Sequence, residues 1–92
     1  MARLKSPKQY LTNTDRALES AIIELLSRRA AGKTICPSEA ARMVDPIRWE
    51  ELMDRSRAAA RRLVAQGAIV ITQQGSVVDP SSAKGAIRLR RV

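Results

Sequence analysis

Histidine is absent from this 92-residue chain, and cysteine occurs once, as Cys36. The first absence removes the usual acid–base residue and the commonest metal ligand. Ser-His-Asp and Cys-His arrangements are therefore impossible within the chain. One cysteine without histidine also excludes a standard zinc site and an intrachain disulfide. Aromatics are almost missing, with one Trp, one Tyr and no Phe. Any core must be built from Leu, Ile, Val, Ala and Met. No apolar run approaches the roughly 18–20 residues that span a bilayer. The start, Met1 to Pro7, carries charge with no apolar stretch behind it, unlike a secretory signal. The expectations that follow are a cytoplasmic chain, not an enzyme, with no cofactor, no metal and no membrane contact.

What is present is charge, unevenly placed. The formal net charge is +8. Residues 1–10 contribute +3, residues 11–54 contribute −2, and residues 55–92 contribute +7. Such asymmetry fits a polyanionic partner, nucleic acid above all. It equally fits a solvated basic surface that aids solubility.

The length allows one domain. Residues 1–12 read as a flexible basic arm with Pro7 and little apolar periodicity, and residues 13–92 as the folded domain. Asn13 is positioned to cap a first helix over about 14–29. Within it Leu18, Ile22, Leu25 and Leu26 form one stripe, and Gly32 ends it. Lys33-Thr34-Ile35 is long enough for one edge strand. Cys36-Pro37-Ser38-Glu39 then starts a short second helix, with Pro37 at the first helical position and Glu39 capping back. Asp45-Pro46 repeats that signal for a third helix running to Gln66 and stopping at Gly67, either unbroken or divided near Met53-Asp54. Trp49, Leu52, Met53, Ser56, Ala60, Leu63 and Val64 share its apolar face. After Gly67 the period changes to two. Residues 68–73 form a strand, Gln74-Gly75-Ser76 a turn, Val77-Val78 a brief extension, and residues 86–90 a returning strand with Ile87 and Leu89 inward. The fold class is thus α+β: a winged helix-turn-helix of three helices, a short strand after the first, and a C-terminal β-hairpin wing.

In that fold the third helix lies in the major groove of duplex DNA and a basic wing grips the backbone beside it. Arg55, Arg61 and Arg62 fall on the helix face opposite the apolar one. Lys84, Arg88 and Arg90 lie on the wing. These six are the candidate nucleic-acid contacts. Two features oppose the assignment. Glu50, Glu51 and Asp54 crowd the part of the helix that usually enters the groove, and no outward Asn or Gln precedes Gln66. The alternative is a protein–protein interaction module. Arg57, at the edge of the apolar face, reads as a half-buried strut. Arg88 also has a simple structural use, pairing with Asp79. Cys36 reads as a buried, inert thiol.

The run Lys33-Thr34-Ile35-Cys36-Pro37-Ser38-Glu39-Ala40-Ala41-Arg42 and the tail Val78-Asp79-Pro80 with Lys84-Gly85-Ala86-Ile87-Arg88-Leu89 resemble a bacterial domain-of-unknown-function family of small winged-helix-like proteins. The resemblance extends over roughly residues 14–91. It implies the fold and no catalytic residues. It also implies that Cys36, Pro37, Ser38, Glu39, Asp79, Pro80, Lys84, Gly85 and Arg88 belong to a shared pattern, either one polar patch or a lock holding wing to helices.

Overall fold

The computed structural model describes residues 11–92; the first ten residues of the expected basic arm lie outside them. Three α-helices and a four-stranded antiparallel sheet make an α+β fold, as expected. The helices are α1 (Asn13–Ser27), α2 (Pro37–Val44) and α3 (Met53–Ala65). The strands are β1 (Thr34–Ile35), β2 (Ile69–Gln73), β3 (Ser76–Val78) and β4 (Arg88–Arg91).

The helix starts follow from local hydrogen bonding. Thr12, not Asn13, caps α1. Its hydroxyl accepts from the Asp15 amide at 3.1 Å, and the Asp15 carboxylate accepts from the Thr12 amide at 3.0 Å. This reciprocal box needs a carboxylate three residues on. Thr12 has one, whereas the residue three beyond Asn13 is Arg16. At α2 the expected signal holds: Pro37 begins the helix and Glu39 accepts from the Cys36 amide at 2.9 Å. At Asp45 the expectation needs correction. Its carboxylate does cap, accepting from the amides of Ile47 at 3.1 Å and Arg48 at 3.0 Å. The chain so held makes a turn and then a 3-10 turn over Trp49–Leu52 before α3 begins. The divided form of the third helix is the one adopted.

The strand order is β1-β4-β2-β3. β4 pairs with β1 through Ile35 and Leu89, and with β2 through Ile71 and Leu89. The brief Val77-Val78 extension is a true strand, β3, on the other edge of β2. Its turn, Gln74-Gly75, has positive φ at both residues, 51° and 84°, the pattern that matches strand twist in two-residue hairpins.

The core is aliphatic throughout. Leu18, Ile22 and Leu26 of α1 meet Ile35, Ile69, Ile71, Ile87 and Leu89 from the sheet side. Ala40, Ala41, Ala59 and Ala60, all fully buried, occupy the helix contacts and let the three helices approach closely. Ala59 lies outside the apolar face read from the sequence; α3 is buried over a wider arc because it packs on both α1 and α2. Ser56 is fully buried, and its hydroxyl donates to the Pro37 carbonyl at 2.8 Å, tying α3 to the start of α2. Among the described residues no helix is long and apolar enough to cross a membrane.

Candidate nucleic-acid interface

The six candidate cations divide by partner. Arg55 points at α1, not away from the protein. Its Nε donates to Asp15 Oδ1 at 2.9 Å and its Nη2 donates to the Thr12 hydroxyl. Arg62 pairs with Glu19 of α1 and reaches the Asp15 carbonyl at 3.4 Å. Asp15 and Glu19 are one turn apart, as are Ala59 and Arg62, with Arg55 a turn earlier still. Arg55, Ala59 and Arg62 therefore make one stripe, zipped to α1 by two ion pairs across a contact that Ala59 keeps close. The outward placement read for Arg55 and Arg62 is corrected on this ground. The Arg55 guanidinium, with the Thr12 amide, holds the Asp15 carboxyl at about 2, well below its ordinary value.

Arg88 is exposed but engaged. Its Nε donates to the Thr34 hydroxyl at 3.0 Å and its Nη2 to the Thr34 carbonyl at 3.3 Å. It braces β4 against β1 and does not pair with Asp79. The Asp79 carboxylate instead accepts from the Ser81 amide and hydroxyl, both at 2.8 Å. Those two bonds lower its pKa and close the turn that opens the β3–β4 loop.

Arg61, Lys84 and Arg90 have no side-chain hydrogen bond or ion pair among the described residues. Residues 1–10 contain no Asp or Glu, so no side-chain carboxylate can come from there. Arg61 stands on the solvent stripe of α3 with Asp54, Ala58 and Ala65. Lys84 lies in the β3–β4 loop, which Gln73 clasps by donating to the carbonyls of Lys84 at 2.6 Å and Ala86 at 3.1 Å. An open groove of about 720 Å³ runs along this side, with Gln73, Ser76, Lys84 and Arg88 among its walls. Glu50, Glu51 and Asp54, at the other end of α3, are exposed. Of the six candidates, the three without such a partner are thus Arg61 on the C-terminal half of α3, Lys84 in the β3–β4 loop and the half-buried Arg90 on β4, opposite Thr34 and Val70.

The two most specific stretches of the resemblance meet at the β1–β4 pair, where Arg88 donates to Thr34 and Ile35 lies opposite Leu89, while other polar residues of the pattern are engaged elsewhere. Glu39 pairs with Arg29 at 2.5 Å, and Ser38 donates to the Cys36 sulfur at 3.1 Å. Pro80, Lys84 and Gly85 instead face Arg57 and Arg61 of α3 across a small cavity. Arg57 was legible only as a strut, yet its Nε is buried with no hydrogen-bond partner. The signal available in the sequence was the four-residue spacing of Arg57 and Arg61, which puts both on one side of the helix. Trp49 lies at the edge of the core, with the Arg42 guanidinium 4.1 Å over its ring. Among the described residues no group of three His, Cys, Asp or Glu side chains is placed to hold a metal ion.

No curated protein matches the chain. A family model described as a protein of unknown function (DUF3253) matches residues 15–92, and the chain belongs to that family.

Proposed function

We propose that this chain is a winged-helix module that binds duplex DNA with the C-terminal half of α3 and the basic wing. The observation that carries the reading is the sorting of cations. Arg55 and Arg62 are spent on α1 carboxylates, while Arg61, Lys84 and Arg90 keep their charge for a partner. The element order, α1-β1-α2-α3 followed by a sheet-forming wing, supports the same reading. The acidic end of α3 shapes how duplex is met. Glu50, Glu51 and Asp54 repel phosphate, so the helix contacts backbone near Arg61 and does not enter the groove by its N-terminus. Binding is accordingly driven by phosphate contacts and discriminates weakly among sequences. The module is a binder without catalytic chemistry of its own, and the cytoplasm is where it meets DNA.

The test is a salt-series titration with random duplex. Each neutralised phosphate adds about −0.9 to the slope of log affinity against log salt. Arg61→Ala and Lys84→Ala are each expected to flatten the slope by about that amount. Arg55→Ala lowers stability and leaves the slope unchanged. A slope indifferent to Arg61 and Lys84 overturns the reading.

One observation favours the alternative, a protein-interaction module. Ile47 is 89% exposed, and Met43 and Ile23 are 41% and 43% exposed. Retention of a protein partner after nuclease treatment, lost on Ile47→Asp, is the result that reading requires.

A further inference from the structure

The cavity between α3 and the β3–β4 loop has a volume of about 280 Å³. Arg57, Arg61 and Lys84 all line it, and no carboxylate does. Its apolar wall includes Ile71 and Ile87, which are 2% and 8% exposed, so it reaches down to the core. Arg61 and Lys84 are exposed and stand at its mouth, while Arg57 is half-buried. The Arg57 Nε is the one buried side-chain nitrogen or oxygen among the described residues without a hydrogen-bond partner. A buried guanidinium N–H left unpaired is costly, and the same guanidinium belongs to a residue that lines the cavity, where an anion beside it would offset that cost.

The surroundings are built to keep the charges available. Gln73 fixes the loop by its two hydrogen bonds to the carbonyls flanking Gly85. Gly85 has φ of +82°, a backbone turn that other residues make only under strain. Asp79, the nearest carboxylate in the loop sequence, is occupied by Ser81. Arg55 and Arg62, the other arginines of α3, are neutralised on the α1 side. Arg57 and Arg61 are thus the arginines of α3 left without an ion pair, both lining the cavity, and guanidinium donors suit an oxyanion.

We propose that this cavity is a phosphate-binding site, with Arg57 as the inner donor and Arg61 and Lys84 closing over the outer oxygens. The shared chemistry is a phosphate group, whether from a nucleic-acid backbone or from a free phosphate or small phosphomonoester. The site shares Arg61 and Lys84 with the DNA reading but stands on the unpaired Arg57 donor, which that reading does not use.

The test follows the Arg57 side-chain Nε–H resonance by NMR in the ¹⁵N-labelled full chain, at constant ionic strength kept by chloride. Inorganic phosphate is added first. The expected result is a saturable shift of that resonance together with the Lys84 and Gly85 amides. Lys84→Ala, a loop substitution that touches no core residue, is expected to weaken saturation about tenfold, the worth of one charge-assisted hydrogen bond. Arg57→Gln is expected to abolish it, with amide dispersion confirming the fold.

A short duplex is then added to the phosphate-loaded protein. If duplex displaces phosphate and moves the Arg57 resonance, the site holds a backbone phosphate. If phosphate saturates and duplex leaves the spectrum unchanged, the site stands for free phosphate or phosphomonoesters and the DNA reading fails. If duplex shifts the outer α3 and wing amides while the Arg57 resonance is indifferent to duplex and to phosphate, the site is overturned and the DNA reading survives. Linear, non-saturating shifts that chloride reproduces also overturn it.

Discussion

Replacing Asp15 by Asn removes the acceptor on which the start of α1 and the α1–α3 contact both depend. The carboxylate accepts from the Thr12 amide and hydroxyl and from Arg55 Nε. Its pKa falls from 3.8 to about 2, chiefly through the Arg55 hydrogen bond and next the Thr12 amide. A difference of that size corresponds to at most about 2.5 kcal/mol in favour of the charged form. The Asp15 side chain is only 15% exposed, but Arg55 is 41% exposed and partly screened by water. The expected loss at neutral pH is therefore about 1–2 kcal/mol. The folded pKa is depressed, so this stability is fully present above the unfolded value near 3.8 and is lost as pH falls through about 2. Urea denaturation of the parent chain and Asp15→Asn at several pH values between 7 and 2 measures it. The two midpoints should be well separated at pH 5 to 7 and converge toward pH 2. A gap that persists unchanged at pH 2, or no gap at pH 7, refutes the assignment of Asp15 as the charged acceptor.

Other expectations can be checked by thermal or chemical denaturation. Arg62→Ala should cost about 1 kcal/mol while Arg61→Ala should be neutral within about 0.5 kcal/mol, because only Arg62 has a protein partner; equal losses contradict the sorting of the two. Ser56→Ala should cost about 1–2 kcal/mol by removing the buried hydroxyl bond to the Pro37 carbonyl, a drop of about 4–16 °C in Tm for a domain this size. Gly75→Ala should cost about 1 kcal/mol from its φ of +84° alone, since a methyl group there meets nothing within 4 Å. Gln74→Gly should raise Tm slightly by relieving the positive φ at that position. Leu18→Ala should cost about 2–5 kcal/mol by opening a cavity in a fully buried site.

Much of the fold was legible because local and tertiary preferences agree. The Leu18, Ile22 and Leu26 stripe, the Pro37 and Glu39 start of α2, and the inward Ile87 and Leu89 each follow from one rule of spacing or capping. The third helix was less legible. Asp45 supplies a good cap in any local reading, and only the structure shows it holding a turn ahead of α3. The candidate site was half legible for a related reason. Helical spacing tells which residues share a face but not how many neighbours the helix has. α3 packs on α1 as well as on α2 and the sheet, so Arg55 and Arg62 fall on a second contact face and not in solvent. The same limit hid the cavity at Arg57, whose walls come from α3 and from a loop more than twenty residues later.

In the proposed function, Arg61, Lys84 and Arg90, and not the arginines of α3 as a group, meet duplex DNA. NMR titration of the ¹⁵N-labelled chain with random duplex at two salt concentrations tests it most directly. Shifts that shrink steeply with salt are expected at Arg61, Lys84 and Arg90, with quiet amides at Glu50, Glu51 and Asp54. Shifts confined to the acidic end of α3, or no shifts at low salt, would contradict it.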